Sequence, residues 1–178
     1  MEYLFRDLYS NEIDVRLATV KENGVSLLLY KDARCDMNIL DETFTSFGWK
    51  RDHKELKGNI YCGISIYDKD KNEWVTKWDC GKESFSEAEK GEASDSFKRA
   101  GFNWGIGREL YTSPFIWISN DKCNIKEKNG KYYCNDNFYV EAIEITDKVI
   151  TGLAIRNKNV KNEKGLPARV FVYKKSEE

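Results

Sequence analysis

The sequence is poor in the residues that usually announce chemistry. It has one histidine, His53, in 178 residues. Its five cysteines, Cys35, Cys62, Cys80, Cys123 and Cys134, are odd in number and include no C-x-x-C pair. That combination argues against a zinc site or a disulfide framework, and the thiols are expected to be reduced and mostly buried. Proline occurs twice, and no glycine-rich stretch has the Walker form that cradles a nucleotide phosphate. No apolar run approaches the ~18 residues that a membrane span needs. The opening "MEYLFRDLYSNEID" is acidic and has no apolar signal core, so a cytosolic protein is expected. Excess charge of one sign is also missing: the formal net charge is −1. A nucleic-acid binder with this balance has to gather its cations in one place.

What is present is the composition of a folded domain. Hydrophobic residues make up 40% and aromatics 13% of the chain, enough for a buried core in a single domain spanning 1–178. Basic residues collect late. Residues 121–178 carry 12 basic and 9 acidic side chains, many in "RNKNVKNEKGLPARVFVYKK". Whether its "NVKNEKGLPAR" is a DNA-contacting arm or a loop stays open, although Gly-Leu-Pro reads as a turn.

Periodicity places the elements. The first nine residues can form a short helix with Leu4, Leu8 and Tyr9 on one side. "IDVRLATV" alternates, and Asn23-Gly24 turns the chain into "VSLLLY". "KDARCDMNILDETFTSFG" (31–48) has apolar residues at helical spacing and a terminal glycine. Strands follow at 49–56, 59–67 and 73–80, with Trp74, Thr76 and Trp78 on one face of the last. The turn "DKDKN" faintly resembles a calcium loop, but Glu73 stands where glycine is needed, so a solvated turn is expected. Beyond residue 114, "FIWIS", a small hairpin at Asn129-Gly130, "FYVEAIEIT" and "ARVFVYK" add strands. The class is α+β: an antiparallel meander with one long helix packed across it.

That helix is expected over 84–111, "SFSEAEKGEASDSFKRAGFNWGIGRELY", with Ser86 as its cap. Ala93, Phe97, Ala100, Trp104 and Tyr111 share one face, which would pack on the sheet. Phe102, Ile106 and Leu110 form a second stripe, which would be covered by later strands or by a neighbouring subunit. Lys98 and Arg99 flank it. By spacing alone they read first as a snorkelling pair, or as ion pairs with Glu92 and Asp95. The alternative is a pair of cations at the lip of a groove.

The stretch "GEASDSFKRAGFNWGIGRELY" resembles the signature helix of the Rad-fifty-two-type single-strand annealing recombinases, particularly phage and bacterial members. These carry a G-x-x-S/T-D-x-[FL]-K-R-A segment that ends in G-I-G-R-x-L-Y. "KDARCDMNILDETFTSFGWKRD" and "NIYCGISIYDKDKNEWVTKWDCG" precede it in the family's order, and the similarity runs from about residue 12 to about 113. The remainder, 114–178, is expected to add strands and a basic segment. The resemblance implies a β-β-β-α core that assembles into a ring or arc. Single-stranded DNA would lie in a positive groove with its bases outward for pairing with a complementary strand. No nucleotide hydrolysis, cofactor, metal or covalent-chemistry site is implied. Lys98 and Arg99 match the family's groove-lining pair and Lys90 a basic position earlier on the helix. Arg16 matches an arginine of the first hairpin, and Arg34 one on the first core helix, where a structural role is equally open. A further basic position of eukaryotic members is Phe102 here, so either fewer charges grip phosphate or Phe102 joins a subunit contact. The expected setting is the cytoplasm of a bacterial or phage-infected cell, away from membranes.

Two other readings compete. A monomeric nucleic-acid module, for RNA or DNA, would stack bases on Trp74, Trp78 and Tyr61. A metal-dependent nuclease would need clustered carboxylates, for which Asp68, Asp70, Glu73 and Asp79 are the nearest candidates.

Overall fold

The computed structural model describes residues 4–81 and 88–176, and side chains for all of these except 88–90. In chain order the strands and helices are β1 (Ile13–Lys21), β2 (Gly24–Lys31), α1 (Ala33–Phe44), β3 (Trp49–Leu56), β4 (Asn59–Asp68), β5 (Glu73–Cys80), α2 (Ala88–Trp104), β6 (Ile116–Ser119), β7 (Ile125–Lys128), β8 (Lys131–Cys134), β9 (Phe138–Thr146), β10 (Val149–Lys161) and β11 (Pro167–Lys174). Among the described residues the fold is α+β with antiparallel sheets and two α-helices. The contacts divide it into two compact units, one of residues 1–7 and 31–108, the other of 8–30 and 109–178. Among the described residues no helix is long and apolar enough to cross a membrane.

In the first unit β3, β4 and β5 form a meander in that order. Its register pairs Arg51 with Ile64 and Ile64 with Lys77. Alternation then sends Cys62, Ile64 and Ile66 to one face, where α2 packs with Phe97 and Ala100 fully buried. The β3–β4 turn uses Lys57 at φ 54° and Gly58 at φ 76°, the paired positive dihedrals that suit a right-twisted hairpin. In the β4–β5 turn the Asp68 carboxylate accepts the N–H groups of Asp70 and Lys71, the self-capping that makes aspartate a turn residue. This is a solvated hairpin turn rather than a calcium loop.

Helix α1 is started by Asp32, whose side chain accepts the Arg34 N–H at 2.7 Å. It ends at Phe44, before the expected Gly48, because Thr45 takes a φ of 60°. Helix α2 departs further from expectation. It stops at Trp104, where the Ile106 N–H donates to Gly101 O and the Gly105 N–H to Phe102 O. With Gly105 at φ 102° these bonds make a Schellman stop. "GIGRELY" therefore leaves the helix, and Arg108–Thr112 is a separate 3-10 turn. Phe102, Ile106 and Leu110 are consequently not a stripe of one helix, and Tyr111 is 67% exposed rather than packed on the sheet. The proposed Ser86 cap lies outside the described residues.

The second unit holds the three-stranded sheets β1-β2-β6 and β9-β10-β11 and the hairpin β7-β8. Residues 4–9, expected to be helical, contain no helix; a 3-10 turn at Ser10–Glu12 leads into β1. Ile13, Val25, Leu27, Ile116, Ile118, Val140, Ile150 and Ile155 are among its core residues. Glu109, fully buried, accepts the Leu8 N–H at 2.8 Å and so ties the N-terminal segment to the 3-10 turn. The strand β10, 13 residues long, takes in much of the basic segment, and Gly165 at φ 72° turns it into β11.

Candidate nucleic-acid interface

Adjacent residues on an α-helix point about 100° apart, since a turn holds 3.6 residues. Lys98 and Arg99 therefore leave the helix in different directions. Arg99 turns toward β5, and its Nε lies 3.2 Å from Asp79 Oδ1. The other Asp79 oxygen accepts from Asn103 Nδ2 at 3.2 Å, and the same nitrogen donates to Trp78 O. Glu92, offered by spacing as a partner for the pair, is buried instead and accepts the Ile60 N–H at 2.7 Å.

Lys98 turns the other way, into electrostatic reach of Asp32 and Asp36 on the N-terminal side of α1. It is half-buried, and it makes no hydrogen bond or ion pair among the described residues. Arg34, in the first turn of α1, is 80% exposed and ion-paired with Asp32 at 3.1 Å. That hydrogen bond, first among several causes, holds the Asp32 carboxyl below its usual range. Lys98 and Arg34 thus both bear on Asp32 at the positive end of α1.

Beneath Lys98 lies a feature that the sequence reading missed. Lys31, at the end of β2, is 1% exposed and ion-paired with Asp36, which is fully buried. Burial drives the Lys31 ammonium down and pushes the Asp36 carboxyl up to about 6, while their mutual attraction opposes both shifts. Lys31 Nζ also sits 4.3 Å from the centre of the Phe102 ring. Phe102 is half-buried here and Ile106 fully buried within the chain. The missed signal was Gly101: a Cβ there would stand 2.2 Å from Asp36 Oδ1.

The remaining sequence candidates belong to separate elements. Arg16 is exposed on β1, in the second unit, 6.0 Å from the centre of the Tyr30 ring. Lys90 lies in the first turn of α2, but its side chain is outside those described. Leu110 belongs to the 3-10 turn of the second unit. Arg108, also overlooked, caps α2 by donating to the Phe102 and Asn103 carbonyls, and Lys77 donates to the same Asn103 oxygen.

The face of β3-β4-β5 turned away from α2 carries Trp74 and Trp78. Lys50 lies 4.5 Å from the centre of the first ring and Lys54 4.6 Å from the second. Trp74 is 41% exposed, so this face is not core. The nuclease carboxylates do not converge: Asp68 is engaged by its own turn and Asp79 by Arg99. Among the described residues no three His, Cys, Asp or Glu side chains gather as metal ligands would.

Comparison with known proteins agrees with the family resemblance. No curated protein and no solved structure matches the chain. The Rad52/22 family of double-strand break repair proteins matches residues 2–131, a span reaching past the 12–113 stretch at both ends. The chain belongs to the Rad52/22 family of double-strand break repair proteins.

Proposed function

We propose that the protein binds single-stranded DNA without regard to sequence and anneals complementary strands without ATP, as a ring or arc of identical subunits. Family membership supports a role in recombination and repair. The observation that carries the reading to this chain is Lys98: a cation of the signature helix that makes no hydrogen bond or ion pair among the described residues and whose charge, like that of Arg34, bears on Asp32 at the start of α1.

Annealing needs little from such a site. Each stacked base-pair step of a DNA duplex is worth about 1.4 kcal/mol, so pairing runs downhill once two strands are held together. What opposes the encounter is phosphate repulsion and the floppiness of single strands. Lysine and arginine contacts to phosphate lower the first by releasing counterions, and they fix the backbone while reading no base. Held by its phosphates, a strand keeps its base edges free to pair. No covalent bond is made or broken, and no nucleotide or metal is required. The setting would be the cytoplasm of a bacterial or phage-infected cell.

The test is strand pairing between complementary labelled oligonucleotides in the absence of ATP. Acceleration over the protein-free rate supports the reading, and an unchanged rate overturns it. A second reading is favoured by the lysine-covered Trp74 and Trp78: a monomeric, non-specific nucleic-acid module that stacks bases on that face. Light scattering separates the two, because an annealing ring or arc has a mass several times that of one chain.

A further inference from the structure

Lys31 and Asp36 are a fully buried ion pair, an arrangement that seldom adds stability over well-packed apolar residues. Their placement suggests another use. The carboxylate lies against the α2 backbone where only glycine leaves room, since a Cβ at Gly101 would come within 2.2 Å of Asp36 Oδ1. Lys98 is one turn before Gly101 on the same helix. The charges bearing on Asp36 are Lys31 from the end of β2 and Lys98 from α2. Asp36 Oδ2 is buried and has no hydrogen-bond partner. There is thus one buried anion with an acceptor oxygen still open, one lysine bonded to it, and a second lysine, a turn from Gly101, whose charge it feels.

We propose that Lys31 is a positioning residue for DNA capture: by occupying the Asp36 carboxylate it keeps Lys98 out of an intramolecular ion pair and leaves that ammonium for a phosphate. This rests on the reading of Lys98 as a DNA-contacting cation. A buried carboxylate stripped of its partner either takes up a proton or draws in another cation, and Lys98 is the cation whose charge already reaches it. A lysine ammonium committed there would no longer neutralise the DNA backbone. Asp36 is therefore a competitor for Lys98, and Lys31 satisfies it in advance. The Phe102 ring, 4.3 Å from Lys31 Nζ, helps to hold that ammonium inside.

The test measures binding of fluorescent oligo(dT) over a range of salt for Lys31→Met and for Lys31→Met with Asp36→Asn, each with and without Lys98→Ala. Thermal melts accompany every variant. Lys31→Met is expected to weaken binding roughly threefold to tenfold and to flatten the salt slope by about 0.7, the share of one phosphate on a single strand. Adding Asp36→Asn removes the competing carboxylate and restores both. In the Lys98→Ala background, Lys31→Met changes nothing further. The same loss in that background, or a double variant that melts like the wild type yet binds like Lys31→Met, overturns the proposal. Should Lys31→Met not fold, the double variant decides: weaker binding than wild type refutes the competition. If Lys98→Ala alone binds as the wild type does, the reading of Lys98 falls and takes this inference with it. Failure of the double variant alone leaves that reading standing.

Discussion

Arg99 on α2 holds Asp79 on β5 through a 3.2 Å contact, with the two side chains 38% and 24% exposed. The arginine of the signature pair is therefore partly spent inside the chain. Exposed pairs of this kind contribute at most about 1 kcal/mol, little enough for a phosphate to compete. Asp79→Asn should remove this one hold on Arg99 and a nearby negative charge, raise single-strand affinity, and steepen the salt slope by at most about 0.7. Anisotropy titrations at three salt concentrations check this, and an unchanged slope would keep Arg99 out of the DNA site.

The two cations should differ when removed singly. Lys98→Ala is expected to weaken single-strand binding with little change in melting temperature, because Lys98 bonds to no described group. Arg99→Ala should cost less affinity and more stability, because it removes the Arg99–Asp79 tie between α2 and β5. Equal effects of the two on both quantities would contradict the division seen here.

Gly101 and Gly105 should respond to alanine for different reasons. At Gly105 a Cβ meets nothing within 4 Å, so only the φ of 102° is at stake. A left-handed alanine costs roughly 1–2 kcal/mol, seen as a lower denaturant midpoint at unchanged slope. At Gly101 the new methyl would press on buried Asp36, and overpacking of this kind costs roughly 1–3 kcal/mol. Gly101→Ala should also weaken DNA binding by disturbing the site beneath Lys98, whereas Gly105→Ala should leave affinity unchanged.

On the β9-β10-β11 sheet, Arg156 and Arg169 stand opposite each other across strands, and Glu141 accepts from both, at 2.6 Å and 2.5 Å. These bonds hold the Glu141 carboxyl down at about 2, against 4.5 ordinarily, with the Arg169 bond the largest cause. A depressed carboxyl pKa contributes stability that is complete above about 4.5 and is lost as pH falls toward about 2. Glu141→Gln should therefore destabilise the protein at neutral pH and flatten its stability curve between those two values. Denaturation series at pH 7, 4 and 2.5 would show it, and parallel curves for the two proteins would contradict it.

Legibility in the sequence followed the range of the interactions. The meander of β3, β4 and β5 was readable almost to the residue because strict alternation and turn residues are local signals. The end of α2 was not, because an apolar repeat continues through "GIGRELY" in sequence while Gly105 has already turned the chain out of the helix. Strand β10 was missed because irregular pairing at Ile150/Gly152 and Ala154/Ile155 breaks its period of two, and because lysines and asparagines fill its far end. Lys98 and Arg99 could be named from a motif, but their separate surroundings depend on where α1 and β5 lie. The Lys31–Asp36 pair was invisible for the same reason: Lys31 reads as an ordinary polar residue at the mouth of a helix until Gly101 is brought against Asp36.

The antiparallel pairing of Gly24 with Ser119 and Leu27 with Ile116 has a kinetic consequence. Residues 31–108 are contiguous and pair only neighbouring strands within their meander, so they can organise as soon as they leave the ribosome. The β2–β6 ladder has to wait for some ninety residues of intervening chain, and closing a long loop costs entropy before any bond repays it. Synthesis therefore completes the portion bearing Lys98 first, and the β2–β6 ladder closes afterwards. A truncation just before Ile116 would forfeit the latter while sparing the former.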